Sequence, residues 1–366
     1  MEIAWYTYAG FILFVVAMLL VDLKLFHTEE HEPTVKESAT WVAIWVGLAI
    51  AFGVSILFWH EDASRAAGEY FAGYLIEYSL SVDNMFVFVV IFSYFNVPLA
   101  YQHQVLFFGI LGAMVFRGIF IALGVALINN FEWIIYVFGA FLIYTAFKIA
   151  KGHAEDIHPE NNPVLKFARK RFRTTTRFDG QKLFTVENGV RVATPLFIVL
   201  LFIEVTDIFF AIDSIPAIFA ITRDPFIVLT SNVFAILGLR ALYFLVAGGM
   251  DRLHLLKYGL AVILGFVGLK MLGTAVPCSG HGFFCHNGHL AAPIWLSLTV
   301  IVGVLGITTI ASIMIPPKKQ KEVDPLTDRH PDEAIAETPR VPEAAGPDEP
   351  APVDTTRGSD DKGAPG

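Results

Sequence analysis

The chain reads Glu77-Tyr-Ser-Leu-Ser-Val-Asp83-Asn84 in one long apolar run and Asp207-Ile-Phe-Phe-Ala-Ile-Asp213-Ser214 in another. Each segment has an acid, five further residues, an aspartate and then a small polar residue. A carboxylate at bilayer depth is costly and marks a functional site by default. The repetition therefore predicts a duplicated fold with a shared polar site.

The composition is that of a membrane protein. The chain is 55% hydrophobic and 16% charged, with a mean hydropathy of +0.59, whereas a soluble domain has about 25% charged residues. Since lipid admits only helices or closed barrels, and strand-like alternation is absent, we predict an all-α polytopic protein. Nine spans of adequate length are predicted, at residues 7–25, 41–59, 70–94, 105–128, 131–150, 195–220, 226–248, 256–274 and 293–315.

The distribution of Lys and Arg predicts the orientation. Nine cations lie in the loop over residues 151–194, which the positive-inside rule assigns to the cytoplasm. Counting outward from this loop puts the N-terminus outside and the C-terminus in the cytoplasm, in the cell membrane. The first span follows Met1-Glu-Ile-Ala-Trp5, which has no basic region, so we expect a retained helix and not a cleaved signal peptide.

The repeat covers more than the two acidic segments. Spans three to five (70–150) and six to eight (195–274) each carry acids, then Ile-Leu-Gly and an arginine (Arg117 or Arg240), then a late lysine (Lys148 or Lys270). Because each unit has three spans, the second unit enters the membrane from the opposite side. This predicts an inverted repeat, as in many secondary transporters, with flanking helices at 7–25, 41–59 and 293–315. We expect both lysines to extend to the membrane interface.

The polar residues of the spans indicate chemistry suited to a hard cation. The candidate metal ligands are Glu77, Asp83, Asn84, Glu204, Asp207, Asp213 and Ser214. Oxygen donors of this kind suit Mg²⁺, Ca²⁺ or Mn²⁺, and Arg117 and Arg240 are the candidate counter-ions. For Asn84 and Ser214, a hydrogen bond between helices is the structural alternative.

The spacing of each acid pair restricts this prediction. Residues six apart in an ideal helix are rotated by about 600°, so Glu77 and Asp83 do not share a face, and neither do Asp207 and Asp213. Either the helices are broken there, or the two acids of each pair have different roles. Pro216 favours a break, because it cannot donate a hydrogen bond to the carbonyl of Ile212.

The two remaining segments are a loop and the tail. Cys278 and Cys285 lie in a predicted outer loop, where a disulfide persists; the alternative is a metal site with His281, His286 and His289, although no zinc spacing matches. Residues 316–366 hold ten of the 19 prolines and no aromatic residue, so we predict a disordered cytoplasmic tail.

These motifs resemble those of the TerC family of integral membrane proteins, within the LysE-like transporter group. The resemblance covers most of residues 5–315 and is carried by Glu77 to Asn84 and by Glu204-Val-Thr-Asp207 through Ala217. It implies export of manganese, and for some members tellurite resistance or the supply of metal to secreted proteins. It also implies that Glu77, Asp83, Asn84, Asp207, Asp213 and Ser214 lie on the ion pathway.

We therefore predict a transporter that exports a divalent cation, Mn²⁺, in exchange for protons. Its expected partners are the cation, the bilayer and possible secretion machinery, with no nucleic acid and no required cofactor. One alternative is an oxyanion pathway that uses Arg117 and Arg240. A membrane enzyme is the second, but it would need a nucleophile with its base or a His-rich metal site near the acids, and the spans have neither. The third is a non-transporting partner of the secretion machinery, which a direct flux assay would distinguish from a transporter.

Overall fold

The computed structural model describes residues 5–26, 34–151, 171–187, 189–247, 255–274, 285–286, 289–290 and 292–315; the side chains of 22–26 and 285–290 are outside this description. All of these residues lie in one compact unit, residues 1–317. Cys278, His281 and the tail fall outside the described residues, as do the side chains of Cys285, His286 and His289. The disulfide and the disordered tail therefore stay predictions.

The fold is all-α, with two very small hairpins. Its elements are α1 (Trp5–Phe26), α2 (Val35–Trp59), α3 (Ala63–Tyr94), α4 (Leu99–Asn130), α5 (Ile134–Ala150), β1 (Phe184–Glu187), β2 (Val190–Ala193), α6 (Pro195–Phe219), α7 (Pro225–Leu237), α8 (Leu239–Ala247), α9 (Leu256–Gly273), β3 (Cys285–His286), β4 (His289–Leu290) and α10 (Ile294–Met314). β1 and β2 are antiparallel, with Phe184 opposite Ala193, and they lie in the segment predicted as a cytoplasmic loop.

Six of the described helices are long and apolar enough to cross a membrane, and α7 with α8 makes a seventh if the bent pair counts as one span. α5 and the apolar part of α1 are shorter. Each predicted span coincides with a helix or with this bent pair, and the protein is a polytopic helical membrane protein. The count of nine crossings stays a prediction.

Several helices begin earlier than hydropathy indicated, because their first turns are polar. α3 begins at Ala63, not residue 70, and its first two turns include Arg65 and Glu69. α7 begins where expected, because Asp224 caps it by accepting the backbone N–H groups of Phe226 and Ile227. Hydropathy alone misses charged turns that belong to a membrane helix.

The predicted seventh span, 226–248, is bent. α7 and α8 meet at Gly238 with an angle of 45° between them. A Cβ on Gly238 would lie 3.2 Å from the Cβ of Trp45, so this glycine also lets α2 pack closely at the bend. The break therefore falls in the arginine-bearing span and not in the acid-bearing spans.

The packing of the helices has the pattern expected for two related units. α5 packs most extensively against α9, α3 against α7, and α4 against α6. If α3, α4 and α5 of the first unit correspond to α6, α7 and α9 of the second, the contact of α3 with α7 is equivalent to that of α6 with α4. The contact of α5 with α9 is then equivalent to itself. This symmetric pairing is compatible with two related units, and the inverted repeat stays a prediction.

The α5–α9 interface is a contact of backbone on backbone. A Cβ on Gly268 would lie 2.8 Å from the carbonyl oxygen of Gly139, and a Cβ on Gly139 would lie 3.1 Å from the carbonyl oxygen of Gly268. Membrane helices use small residues in this way to approach closely. The contact joins the start of α5 to the end of α9, so the two helices are antiparallel.

We predict that Gly268→Ala lowers the melting temperature of the detergent-purified protein, because its methyl group has no space against α5. Gly265→Ala is the matched control, since its Cβ would lie 3.7 Å from the Cβ of Ala146, an ordinary contact. In a helix, alanine is favoured over glycine by about 1 kcal/mol, so the control should melt at the same temperature or higher. Equal melting temperatures for the two variants would contradict the close contact.

The predicted orientation is tested by labelling single cysteines in a background with both native cysteines replaced by serine. Thr174→Cys, exposed before β1, should be protected from a membrane-impermeant maleimide in intact cells. Glu61→Cys, exposed between α2 and α3, should react. The reverse pattern would mean that the positive-inside assignment is wrong for this chain.

Candidate functional site

Both acid-bearing helices are continuous, so of the two alternatives left by the six-residue spacing, the helix break does not occur. α3 runs unbroken through Glu77 and Asp83, and α6 runs through Asp207 and Asp213 with Pro216 inside it. The six-residue spacing therefore directs the two acids of each pair to different sides of their helix. The structure separates the predicted single site into a buried ion cluster and an open cavity.

The ion cluster is centred on Arg117 of α4. Its guanidinium donates two hydrogen bonds to the carboxylate of Asp207, Nε to Oδ2 at 3.3 Å and Nη2 to Oδ1 at 3.2 Å. Nη1 pairs with Oε1 of Glu77 and lies 3.5 Å from Oγ of Ser214. The cluster thus joins α3, α4 and α6, and Arg117 is 1% exposed.

The ion cluster has one more formal negative charge than positive charge. Glu77 and Asp207 are both buried, and a single guanidinium faces them. Oε2 of Glu77 has no hydrogen-bond partner among the described residues. Burying a carboxylate without a compensating positive charge is very costly. One bound proton would make the formal charge of this cluster zero.

Three other predicted residues line a cavity of about 480 Å³ between α3, α5, α6 and α9. Asp83 and Asn84 lie on its α3 wall and Asp213 on its α6 wall. Thr145 of α5 donates a hydrogen bond to Oδ1 of Asp213 at 3.2 Å. Both aspartates are half-buried, so they face a space that water and small solutes can enter.

Two lysines also line the cavity. Lys148 lies in the last turn of α5 and Lys257 in the first turn of α9. Because α5 and α9 are antiparallel, these positions mark the same end of the bundle, from which the 151–194 segment departs. Lys148 is exposed and lines the cavity. Lys270, also expected to extend to the membrane interface, is half-buried and donates a hydrogen bond to Oγ of buried Ser297 at 3.1 Å.

Glu204 belongs to neither group. Its carboxylate packs over Gly112 of α4, where any Cβ would collide with it. Its Oε2 is buried without a hydrogen-bond partner in the described part of the chain. The absence of a side chain at Gly112 is what makes room for this acid between α4 and α6.

Arg240 is not equivalent to Arg117, although the sequence pattern paired them. It lies on α8 and lines a small pocket with Glu37, Ser38 and His103. The reason is the spacing: Arg117 follows Gly112 by five residues, whereas Arg240 follows Gly238 by two, directly after the bend.

A third polar group, missed from the sequence, lies near the opposite ends of these helices. Glu69 accepts a hydrogen bond from Nε of Arg65 at 2.8 Å and another from the hydroxyl of Thr222. The Thr222 hydroxyl accepts the backbone N–H of Asp224 at 3.2 Å, and the Asp224 carboxylate lies 3.5 Å from Nε2 of His60. We call this the outer network, because it lies at the helix ends that the positive-inside rule predicts to face outside. The only sequence signal for it is the Arg65–Glu69 pair, four residues apart.

The three groups follow one another along α3. Glu69, Glu77 and Asp83 are separated by about 12 Å and then about 9 Å of helix. The outer network therefore lies at one level, the ion cluster at the next and the cavity at the third. Nowhere in the described residues do three or more His, Cys, Asp or Glu side chains come close enough to form a preformed metal cage.

Comparison with known proteins identifies the family. The model of the "Integral membrane protein TerC family" matches residues 62–320. The chain belongs to the TerC family. The match covers the ion cluster, the cavity, every residue of the outer network except His60, and every helix from α3 to α10 of this TerC protein.

Relatives of this TerC protein come from bacteria and a plant. An "Uncharacterized membrane protein STKORF319" of Myxococcus xanthus is 47% identical over 307 residues, covering 84% of this chain and 92% of the relative. A "Putative membrane-bound redox modulator Alx" of Escherichia coli strain K12 is 44% identical and covers 86% and 96%. A "Thylakoid membrane protein TERC, chloroplastic" of Arabidopsis thaliana is 48% identical and covers 66% and 63%. No solved structure matches the chain significantly, and none of these printed names is that of an enzyme.

We predict that Arg117→Gln strongly destabilises this TerC protein, because it leaves Glu77 and Asp207 buried without a cation. Breaking a buried pair in this way costs about 3–5 kcal/mol. The double variant Arg117→Gln/Asp207→Asn should recover part of the loss, since it removes one of the two unpaired charges. Arg223→Gln, at an exposed arginine, is the control, and thermal melting in detergent is the measurement; an unaffected Arg117→Gln would refute the central role of the cluster.

Proposed function

We propose that this TerC protein exports a divalent metal cation, Mn²⁺, from the cytoplasm in exchange for protons. The observation that carries the proposal is the cavity between the two predicted repeats, with Asp83 and Asn84 on one wall and Asp213 on the other. Two carboxylates, an amide carbonyl and the Thr145 hydroxyl are hard oxygen donors, which suit Mn²⁺, Mg²⁺ and Ca²⁺. The family resemblance favours Mn²⁺ among these.

The cavity volume supports a partly hydrated cargo. About 480 Å³ is far more space than one bare ion occupies. Small divalent cations lose their water reluctantly and are commonly bound by one or two carboxylates with several waters retained. A site with two aspartates and ample space for water fits this kind of temporary binding better than a closed cage would.

The direction of transport rests on the predicted orientation. The cavity is lined by the end of α5, where the cation-rich segment assigned to the cytoplasm begins, and by the start of α9 at the same end of the bundle. Toward the other side, the ion cluster and the outer network join α3 to α4, α6 and the α6–α7 link. The described conformation therefore fits an inward-facing state, in which release to the outside requires these polar contacts to separate.

Proton coupling is supported by the charge of the ion cluster. Glu77 and Asp207 face one arginine, so one proton would balance the buried charge. A proton on either acid would weaken its pairing with Arg117 and loosen the junction of α3, α4 and α6. Protonation of the cluster and occupation of the cavity by metal can in this way be linked through the helices that both groups share.

An oxyanion, such as tellurite, is the second candidate cargo. Lys148 and Lys257 in the cavity are the observation that favours it; Arg117 is engaged by Glu77, Asp207 and Ser214. The names of the relatives add a role in redox modulation, and the family resemblance adds the supply of metal to secreted proteins. Direct flux measurements separate transport of either ion from these roles.

We predict that Asp83→Asn and Asp213→Asn each lower Mn²⁺ flux into proteoliposomes at least about tenfold, because each removes one charged ligand of a divalent ion. Expression should be preserved, since the change deletes a charge at membrane depth. Asp179→Asn makes the same chemical change at a residue outside the membrane helices and should transport as wild type.

The same liposomes decide between the candidates. Each of Mn²⁺, Mg²⁺, Ca²⁺ and tellurite is offered separately, with an internal pH dye to follow protons. Wild-type Mn²⁺ flux in both aspartate variants would reject the cavity as the cation site. Tellurite flux that survives these changes would instead support the second candidate.

A further inference from the structure

The cavity contains as many fixed positive charges as negative ones. Asp83 and Asp213 contribute two carboxylates, and Lys148 and Lys257 contribute two ammonium groups. The empty cavity is therefore formally neutral, unlike the ion cluster, where a negative charge remains. A pathway for cations that already contains two cations needs an explanation.

The position of the lysines supplies one. Lys148 is two residues from the end of α5, and Lys257 is the second residue of α9. Lys148 is exposed and Lys257 is half-buried, so both are at the entrance and not at the deepest point of the cavity. A lysine has four flexible methylene groups, which allow its ammonium group to lie toward the carboxylates or toward water.

An ammonium group tethered beside a carboxylate competes with every free cation. Tethering gives it a high effective concentration, in the millimolar range or above for a short flexible connection. A monovalent cation such as K⁺ has the same charge as the ammonium group, so replacing one with the other yields little electrostatic energy. A divalent cation interacts twice as strongly with each carboxylate and can displace the lysines.

We propose that Lys148 and Lys257 are specificity-determining residues, which act as tethered counter-ions that occupy the cavity in the absence of cargo and exclude monovalent cations. This inference rests on the proposed function, because it assigns selectivity to the same cavity. On binding of the divalent cation, the two ammonium groups move out to the water at the entrance. The lysines thus weaken the binding of the divalent cation, but they make the cavity select divalent over monovalent cations.

Removal of either positive charge should strengthen metal binding. At a separation of about 10 Å and in a water-like dielectric, one fixed positive charge weakens the binding of a divalent cation about fourfold, and more in a protein-like dielectric. Lys148→Gln and Lys257→Gln should therefore bind Mn²⁺ at least about fourfold more tightly. Both should also become sensitive to K⁺, which now competes for the unoccupied carboxylates.

The experiment is calorimetric titration of the full-length, detergent-purified protein with Mn²⁺, in buffers with low K⁺ and with high K⁺. Lys148→Arg and Lys257→Arg keep the charge and should bind Mn²⁺ as weakly as the wild type. Lys151→Gln is the matched control, because Lys151 is exposed beside Lys148 but stacks on the ring of Phe147, 4.3 Å from its centre, and does not line the cavity. It should leave both affinity and K⁺ sensitivity unchanged.

The outcomes separate this inference from the proposed function. Wild-type binding that is lost in Asp213→Asn but unchanged in both glutamine variants would overturn the role of the lysines and leave the cation site intact. Absence of Mn²⁺ binding in the wild type and in all variants would reject the proposed function itself. Tellurite binding that disappears in the glutamine variants would mean that the lysines are ligands of an anion and not counter-ions.

Discussion

A single guanidinium at the centre of the bundle determines how the rest of this protein is arranged. Arg117 of the first predicted repeat binds an acid from each repeat, Glu77 on α3 and Asp207 on α6, so the buried acid of the second repeat is paired with an arginine of the first. Removing one partner of a buried ion pair costs much more stability than forming the pair contributes. The cluster therefore fixes the relative position of three helices, and that position in turn creates the cavity on the other faces of α3 and α6. The stability and the polar pathway of the protein depend on the same contact.

Much of the fold follows from the sequence, because hydropathy and the need to satisfy the backbone in lipid leave few alternatives. The helical class and the approximate place of each apolar span were predictable for this reason. The helix starts were not, as the polar first turns of α3 show, and neither was the bend at Gly238. At that bend Trp45 of α2 packs closely against Gly238, a contact between distant segments that no local pattern encodes.

The site was predictable as a set of residues but not as a geometry. The six-residue spacing left two possibilities open, and only continuous helices reveal that Glu77 and Asp207 lie apart from Asp83 and Asp213. Arg240 was paired with Arg117 by motif order, yet a difference of three residues in spacing from the preceding glycine puts it in another pocket. The exposure of Lys148 was predictable. Its position beside the cavity was not, because that position depends on the antiparallel pairing of α5 with α9. The outer network joins Glu69 to Thr222 across 153 positions of the chain, beyond the range of any motif.

The contact between Gly139 and Gly268 has a mechanical consequence. Two helices that touch through their backbones have no layer of side chains between them that could rearrange. α5 and α9 should therefore move as one rigid unit. Within this rigid unit, Thr145 and Lys148 lie on α5 and Lys257 lies on α9. A tilt of this pair would move the ammonium groups of both lysines together with the Thr145 hydroxyl, which donates a hydrogen bond to Asp213. The width of the cavity entrance and the charge there would therefore change in a single motion.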